Sequence, residues 1–387
     1  MALCKGILLL TSFSSLALGQ ATNYKANAEA SLDALQTFYN TSSGLWNTCG
    51  WWNGANCMTA VADLAAADSS VLTTAETVFS TTFSNAPAYN PSTQVFKESR
   101  PGFVETIYGH PAQKVVQAND PSVWLDSCYD DNGWWALGWI AAYDLTQNAD
   151  YLSTAEGIFA NMSAAWPSSC NNGGILWCST STYVNAIANE LFLSVAAHLA
   201  NRVTDQTAYY LDWAQREWAW FQSVKMINGA GVIVDGLNSA CTGDPGATVW
   251  SYNQGVVLGG LVELAAADSG NASSYLASAN SIANAAITNL TDSNGIIHDV
   301  CEVNESCGPD GTQFKGIFMR NLLKLHQASP SDTYKQLFET NAQSIWNNDR
   351  DDSNRLSLNW AGPFVQPANA STHSSAMDAI IAAMVVG

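Results

Sequence analysis

Residues 132–145, NGWWALGWIAAYDL, form a helical pattern that is apolar around most of its circumference. A polar residue and a small residue precede the apolar run, and the same arrangement recurs along the chain. Four further clear copies and a weaker last copy lie at residues 52–67, 185–199, 254–267, 315–327 and 375–387. These copies are rich in small residues and apolar on most sides, so we predict six inner helices that pack closely among neighbours.

Between these copies lie amphipathic segments with more polar residues, which are typical of helices with one face in water. They cover residues 27–39, 71–83, 151–166, 208–224, 273–290 and 333–346. The alternation predicts an all-α fold, an (α/α)6 toroid of six inner and six outer helices. Short β-hairpins are predicted in the loops at residues 172–177, 228–235 and 294–299, where a turn signal precedes a few apolar residues. The polar starts of the inner helices should then gather at one end of the ring.

The chain has 387 residues, of which 47% are apolar, and this is enough for one large domain. Its formal charge of −19 would repel nucleic acid, so no nucleic-acid partner is expected. Residues 85–126 are rich in proline and have no sustained periodicity. We interpret them as an ordered loop that wraps the toroid rather than as a domain boundary.

The first nineteen residues resemble a secretory signal peptide, because one lysine precedes an apolar stretch and small residues precede Gln20. Residues 20–387 then form a single (α/α)6 domain. We expect a secreted protein, extracellular or associated with the cell wall, that acts as a monomer. Six N-x-S/T sequons agree with export, and they begin at Asn40, Asn161, Asn271, Asn289, Asn304 and Asn369.

Removal of the signal peptide leaves eight cysteines, an even number that suits disulfides in an oxidising compartment. Metal ligation is the rival interpretation, but there is no C-x-x-C spacing and the histidines are scattered singly, so no metal site is expected. Eight cysteines allow 105 pairings, of which three stand out because their members are close in the sequence: Cys49 with Cys57, Cys170 with Cys178, and Cys301 with Cys307. Cys128 and Cys241 would then remain as a fourth pair.

Two adjacent carboxylates, Asp130 and Asp131, lie at the start of an inner helix among aromatic residues. Neighbouring carboxylates in such a site cannot both ionise easily, so one is expected to stay protonated while the other is an anion. Hydrolysis of a glycosidic bond needs this division of roles. The alternative is that Asp131 only caps the helix and that Asp130 is solvated. A second pair, Asp351 and Asp352, has no aromatic neighbours in the sequence and is interpreted as part of a solvated loop.

The phrase YDDNGWWALGWIAAYDLT at residues 129–146 resembles glycoside hydrolase family 76, the endo-α-1,6-mannanases of bacteria and fungi. The resemblance extends to WWNGAN upstream and to NAIANELF, SYNQGVVLGGLVEL, FKGIFMRNL and WAGPF downstream. It implies an (α/α)6 barrel and retaining cleavage of the α-1,6-linked backbone of fungal mannan, with no metal or cofactor. It also implies that Asp130 is the nucleophile and that Asp131 is the acid/base.

A further acid of the family corresponds to Asp235, which would hold sugar hydroxyls; the alternative is a turn residue before Gly236. Val184 stands where a lysine is expected, which puts one charged contact in doubt. Other residues near the inner-helix entrances are predicted to contact sugar through aromatic faces, amides or charge. They are Trp52, Asn53, Trp134, Asn185, Tyr252, Asn253 and Lys315. Trp135 and Trp139 are assigned to the core.

Two alternatives to mannan hydrolysis follow from the same resemblance. A cell-wall transglycosylase would use the same carboxylates to join mannoproteins to wall glucan, because a covalent intermediate can pass to a sugar hydroxyl as well as to water. A non-catalytic mannan-binding protein would keep the toroid without the chemistry, but both aspartates are present.

Overall fold

The computed structural model describes residues 13–91, 97–100, 103–105 and 119–387. Its inner helices are α2 (Trp51–Ala67), α4 (Tyr129–Thr146), α6 (Ala186–Arg202), α8 (Ser251–Ala267), α11 (Phe314–Ala328) and α13 (Ala370–Val386). Its outer helices are α1 (Phe13–Gln36), α3 (Leu72–Asn85), α5 (Ala149–Ala164), α7 (Thr207–Ser223), α9 (Ala272–Leu290) and α12 (Asp332–Asn348). A short helix, α10 (Val300–Val303), precedes α11. The first twelve residues of the predicted signal peptide lie outside the described residues.

The inner helices form a closed ring. Each contacts the next in the order α2, α4, α6, α8, α11 and α13, and α13 returns to contact α2. The outer helices pack on the outside, as α5 does against α4 and α6 and α9 does against α8 and α11. The predicted (α/α)6 toroid is confirmed. No helix in the described ranges is both long and apolar enough to cross a membrane.

Glycine allows the inner helices to approach one another closely. A Cβ atom on Gly255 of α8 would lie 2.5 Å from the Cα atom of Phe318 in α11. A Cβ atom on Gly316 of α11 would lie 2.4 Å from the carbonyl oxygen of Ser375 in α13. Any larger residue at these positions would force neighbouring helices apart, because the atoms that it meets belong to backbone.

Aromatic packing fills the space between α2, α3 and α4. Trp124, Trp135 and Trp139 are fully buried, with ring centroids of Trp124 and Trp135 4.8 Å apart and those of Trp135 and Trp139 6.1 Å apart. The assignment of Trp135 and Trp139 to the core is confirmed. The indoles therefore anchor the helix whose first turn carries the two adjacent aspartates.

The loops at one end of the ring are held by polar side chains four residues after the N-cap of an inner helix. Each such side chain lies near the start of its helix and hydrogen-bonds to backbone groups of a loop that precedes the helix. It thereby supplies a partner that these groups would otherwise lack. The bonds join Asn132 to Asp126 N–H, Asn189 to Ile175 N–H and C=O, Gln254 to Ile233 N–H and C=O, and His373 Nδ1 to Leu356 N–H. This arrangement fixes the loops where the functional residues lie.

The predicted loop hairpins are only partly correct. The turns at residues 228–235 and 294–299 each close with a single bridge, between Ile227 and Ile233 and between Thr291 and Ile297. Residues 172–177 form no hairpin of their own, because the next residue, Cys178, pairs with Cys128 instead. Two small hairpins were not predicted: β1 (Tyr39–Asn40) with β2 (Leu45–Trp46), and β3 (Lys97–Arg100) with β4 (Phe103–Glu105). Their strands are too short to show an alternating pattern.

The disulfide prediction needs correction at three of its four pairs. Cys301 bonds to Cys307 as predicted, but Cys128 bonds to Cys178 and Cys170 bonds to Cys241. Cys49 and Cys57 are buried free thiols, and Cys57 Sγ lies 3.4 Å from Ser374 Oγ. Spacing along the chain failed as a guide because the loops between helices fold back, so that distant cysteines meet.

Candidate active site

The two adjacent aspartates occupy the first turn of α4. Cys128 is the N-cap residue of this helix and makes no side-chain cap, so the interpretation of Asp131 as a capping residue is wrong. Both residues are partly exposed. An inner-helix N-terminus places backbone N–H groups and a positive partial charge near them, which favours an anion there.

Asp130 accepts a hydrogen bond from the indole of Trp177, with Nε1 2.9 Å from Oδ2. Its other oxygen, Oδ1, is buried without a protein partner. Burial raises the pKa of Asp130 to about 7, the Trp177 hydrogen bond lowers it, and the nearby Asp126 carboxylate raises it. Asp130 is therefore poised to change its charge near neutral pH.

Asp131 holds its proton more firmly than Asp130. Burial raises the pKa of Asp131 well above its usual range, and the charges of Asp126, Asp130 and Asp310 raise it further. The two adjacent carboxyls thus differ in protonation, with Asp131 neutral and Asp130 the first of the two to ionise. This is the division between an acid and a nucleophile that a retaining glycosidase requires.

A second polar cluster lies beside the pair, at the starts of α6 and α8. Tyr183 donates its hydroxyl to Asp235 Oδ2 at 3.0 Å, and Asn253 donates to Asp235 Oδ1 at 3.3 Å. Burial raises the pKa of the Tyr252 hydroxyl well above its usual range, and the charges of Asp235, Asp130, Glu190 and Asp310 raise it further. These two side-chain hydrogen bonds orient the Asp235 carboxyl. A residue that only formed the turn before Gly236 would not need them.

Two of the aromatic residues that were predicted to contact sugar, Trp52 and Tyr252, are partly exposed. Trp52 stacks on Trp134 with ring centroids 5.7 Å apart, and its Nε1 donates to Asp310 at 2.9 Å. Tyr252 stacks on Phe314 with centroids 3.8 Å apart. Fixed aromatic faces next to carboxylates are suited to the apolar faces and hydroxyls of a sugar ring.

Residues 22–387 match the family model described as glycosyl hydrolase family 76. The chain belongs to glycoside hydrolase family 76. The resemblance stated from the sequence is confirmed.

Relatives of this family 76 chain include fungal proteins. The mannan endo-1,6-alpha-mannosidase DFG5 of Saccharomyces cerevisiae is 28% identical over 250 residues, covering 60% of this chain and 54% of that protein. The mannan endo-1,6-alpha-mannosidase DCW1 of Candida albicans is 29% identical over 209 residues, covering 50% of this chain and 46% of that protein. The chain therefore matches about half the length of each of these relatives.

Solved structures share the fold. The α-1,6-mannanase of Salegentibacter sp. gives a TM-score of 0.74 at 18% identity, over 94% of this chain and 100% of that one. An inactive variant of it with two aspartates replaced, in complex with an α-1,6-linked mannotetraose, gives 0.73 at 19% identity, over 94% and 99%. Dfg5 from Chaetomium thermophilum in complex with glucosamine gives 0.75 at 18% identity, over 94% and 90%.

Five predicted sugar contacts in the family 76 chain, Asn53, Trp134, Asn185, Asn253 and Lys315, are buried and contact other parts of the protein, which corrects the prediction that they are open to sugar. Asn53 bonds to Gly50 N–H and Gln313, Asn185 caps α6, and Trp134 lies beneath Trp52. Lys315 is 1% exposed and its ammonium bonds to Glu302 Oε2 at 2.6 Å and to Leu358 O at 2.7 Å. Polar residues at inner-helix entrances serve here to join helices and loops, since buried donors and acceptors need partners.

The Lys315–Glu302 pair should be important for stability. Both side chains are buried, with 1% and 8% exposure, so Lys315→Met would leave the Glu302 carboxylate in the interior without its ammonium partner and is expected to cost about 3 kcal/mol or more. Chemical denaturation measures this free energy. Lys335→Met, which removes an exposed pair with Glu339, is the control and should cost less than about 1 kcal/mol. Equal costs for the two variants would contradict a supporting role for Lys315.

Sequence reasoning missed Trp177. It is 42% exposed, which is unusual for so large an apolar side chain, and the neighbouring Cys128–Cys178 disulfide holds it against α4. Its carbonyl also accepts the Tyr129 N–H at 2.9 Å. The one available signal was a tryptophan directly before a cysteine in a turn-rich loop.

Trp177→Phe keeps the aromatic face and removes the donor to Asp130. The N–H group favours the ionised carboxylate, so its loss should raise the pKa of Asp130. The acidic limb of the kcat/KM profile for α-1,6-mannan should then move to higher pH by about one unit or less. Trp213→Phe on outer helix α7 is the control. An unshifted limb in Trp177→Phe would show that the hydrogen bond does not act on the reacting group.

The Cys128, Asp130 and Cys178 side chains lie close enough together to suggest a metal site. However, both sulfur atoms belong to one disulfide, so neither is available as a thiolate ligand.

Proposed function

We propose that this chain is a retaining endo-α-1,6-mannosidase that acts on the linear α-1,6-linked backbone of fungal mannan. The observation that carries the proposal is the pair of adjacent carboxyls in the first turn of α4, where Asp130 accepts a hydrogen bond from the Trp177 indole and burial raises the pKa of both groups. The names of the fungal relatives and the mannotetraose bound to a bacterial neighbour support the choice of substrate. The disulfides are consistent with a secreted protein.

In the first step, Asp131 would donate its proton to the glycosidic oxygen while the Asp130 carboxylate attacks the anomeric carbon. The bond to the leaving mannan fragment breaks, and a mannosyl ester forms on Asp130. In the second step, the Asp131 carboxylate removes a proton from water, and the water oxygen displaces Asp130. Two displacements at one carbon retain the anomeric configuration.

Substrate would lie across the open end of the ring, beside the exposed aromatic faces. Trp52 and Tyr252 offer rigid surfaces for sugar rings, and Asp235 offers oxygens to hydroxyls. Tyr183 and Asn253 hold Asp235 from two sides, so its carboxylate is preorganised rather than mobile.

Product sizes test the proposal. The protein is incubated with linear α-1,6-mannan and, separately, with α-1,6-mannobiose, and fragments are separated by chromatography over time. An endo enzyme should release fragments of several mannose units at early times and act poorly on mannobiose. Single mannose units as the first products from mannan would contradict the endo assignment.

A second candidate is transfer of the mannosyl group to a sugar hydroxyl. Five carboxyl groups surround the site: Asp126, Asp130, Asp131, Asp235 and Asp310; with Asp131 protonated, the other four can supply negative charge. This negative charge suits an acceptor that carries an ammonium group, such as the glucosamine seen with Chaetomium thermophilum Dfg5. Adding glucosamine or a glucan oligosaccharide to the mannan reaction should yield mass-shifted transfer products, and hydrolysis products alone would exclude this candidate.

A further inference from the structure

A third aspartate, Asp126, contacts the acid/base. It lies in the loop that enters α4, four residues before Asp130. Its N–H donates to Asn132 Oδ1 at 2.9 Å, its Oδ1 accepts the Cys128 N–H at 2.7 Å, and its carboxyl shares a hydrogen bond with that of Asp131. The backbone and the side chain of Asp126 are therefore both fixed with respect to the first turn of α4.

We propose that Asp126 is a positioning residue that holds the proton on Asp131, orients that carboxyl, and thereby sets the pH range of the reaction. The inference rests on the proposed function, because it assigns a role within the same two-step chemistry. Asp126 does not touch the reacting atoms, since its effect passes through Asp131.

The contacts decide which carboxyl keeps the shared proton. Two hydrogen-bonded carboxyls share one proton, because both cannot ionise at close range. The Cys128 N–H stabilises the anion of Asp126, whereas Asp131 faces the charges of Asp126, Asp130 and Asp310. Burial raises the pKa of Asp126, whereas its hydrogen bonds with Asp131 and with the Cys128 N–H lower it. Burial raises the pKa of Asp131 well above its usual range, and the charges of Asp126 and Asp130 and the hydrogen bond with Asp126 raise it further.

The arrangement assists both steps of the reaction. Before cleavage, the Asp126 anion keeps Asp131 protonated at pH values where an isolated carboxyl would be ionised. After the proton has gone to the leaving group, the same anion makes the Asp131 carboxylate a stronger base toward water. One fixed charge thus supports the acid role and the base role in turn.

Asp126→Asn tests the proposal, because it removes the charge while its amide oxygen can still accept the Cys128 N–H. The loss of a neighbouring anion lowers the pKa of Asp131, so the alkaline limb of the kcat/KM profile for an α-1,6-mannan oligosaccharide should move to lower pH by about one unit or more. Asp126→Glu should restore part of the range. The exposed Asp352→Asn, far from α4 in the sequence, should leave the profile unchanged. A uniform loss of rate in Asp126→Asn with an unmoved limb would overturn the proposal.

A titration that needs no activity separates this proposal from the proposed function. Carbon-13 NMR of labelled aspartate carboxyls in the wild-type protein should show Asp126 ionising at lower pH than Asp131, and Asp131 should ionise earlier in Asp126→Asn. If Asp131 ionises first in the wild type, the inference fails whether or not mannan is cleaved. If the order is as expected but no α-mannoside is cleaved, the proposed function fails and the proton-holding contact stands.

Discussion

Asp130→Asn and Asp131→Asn should each lower kcat/KM for linear α-1,6-mannan by about 10³-fold or more. The first substitution removes the nucleophile, and the second removes the proton donor that the leaving group needs. Neither carboxyl caps α4, so an isosteric amide at either position should leave the melting temperature within a few degrees of wild type. Reducing-sugar release and thermal melts measure the two effects on the same samples.

The control for these variants is Asp150→Asn. Asp150 also lies in the first turn of a helix, the neighbouring outer helix α5, but it is exposed to solvent. Its replacement should leave turnover close to the wild-type value. Substantial mannan cleavage by either α4 variant, or an equal loss in Asp150→Asn, would contradict the assignment of the α4 pair as the reacting groups.

Removal of the Cys128–Cys178 disulfide should damage both stability and turnover. The bond closes a segment with a sequence separation of 50, so the double variant Cys128→Ala/Cys178→Ala is expected to lose about 4 kcal/mol of unfolding free energy through the greater chain entropy of the unfolded state. The bond also holds Trp177 against Asp130. Turnover at neutral pH should therefore fall even at temperatures where the variant is folded.

A matched control uses the disulfide between Cys301 and Cys307. Its sequence separation is only 6, so Cys301→Ala/Cys307→Ala should cost about 2 kcal/mol, roughly half as much. Urea unfolding gives both free energies, and mannan hydrolysis below the melting temperature gives the rates. Equal losses of stability, or full activity without the Cys128–Cys178 bond, would count against this explanation.

Helix periodicity made most of the fold predictable. Repeated segments such as residues 132–145 are apolar around most of the helix, which indicates that they are buried. Six inner helices and their outer partners could therefore be placed from the sequence. Asp130 and Asp131 were selected as candidates for a related reason, because adjacent acids at the entrance of an otherwise apolar helix need an explanation.

Contacts between loops were not predictable in this way. Trp177 reaches Asp130, and Cys178 reaches Cys128, only because an irregular loop folds back onto α4. Polar residues at inner-helix entrances also misled the prediction. Asn53 and Lys315 have the side chains of sugar contacts, but they satisfy buried partners instead, and a linear sequence does not distinguish the two uses.

The most direct test of the central claim is the anomeric configuration of the first products. Proton NMR, begun immediately after the enzyme is added to an α-1,6-linked mannan oligosaccharide, resolves the α and β forms of the new reducing end before they interconvert. Attack by Asp130 followed by attack by water predicts that the α form appears first. Initial appearance of the β form would mean a single displacement by water and would contradict the nucleophilic role of Asp130.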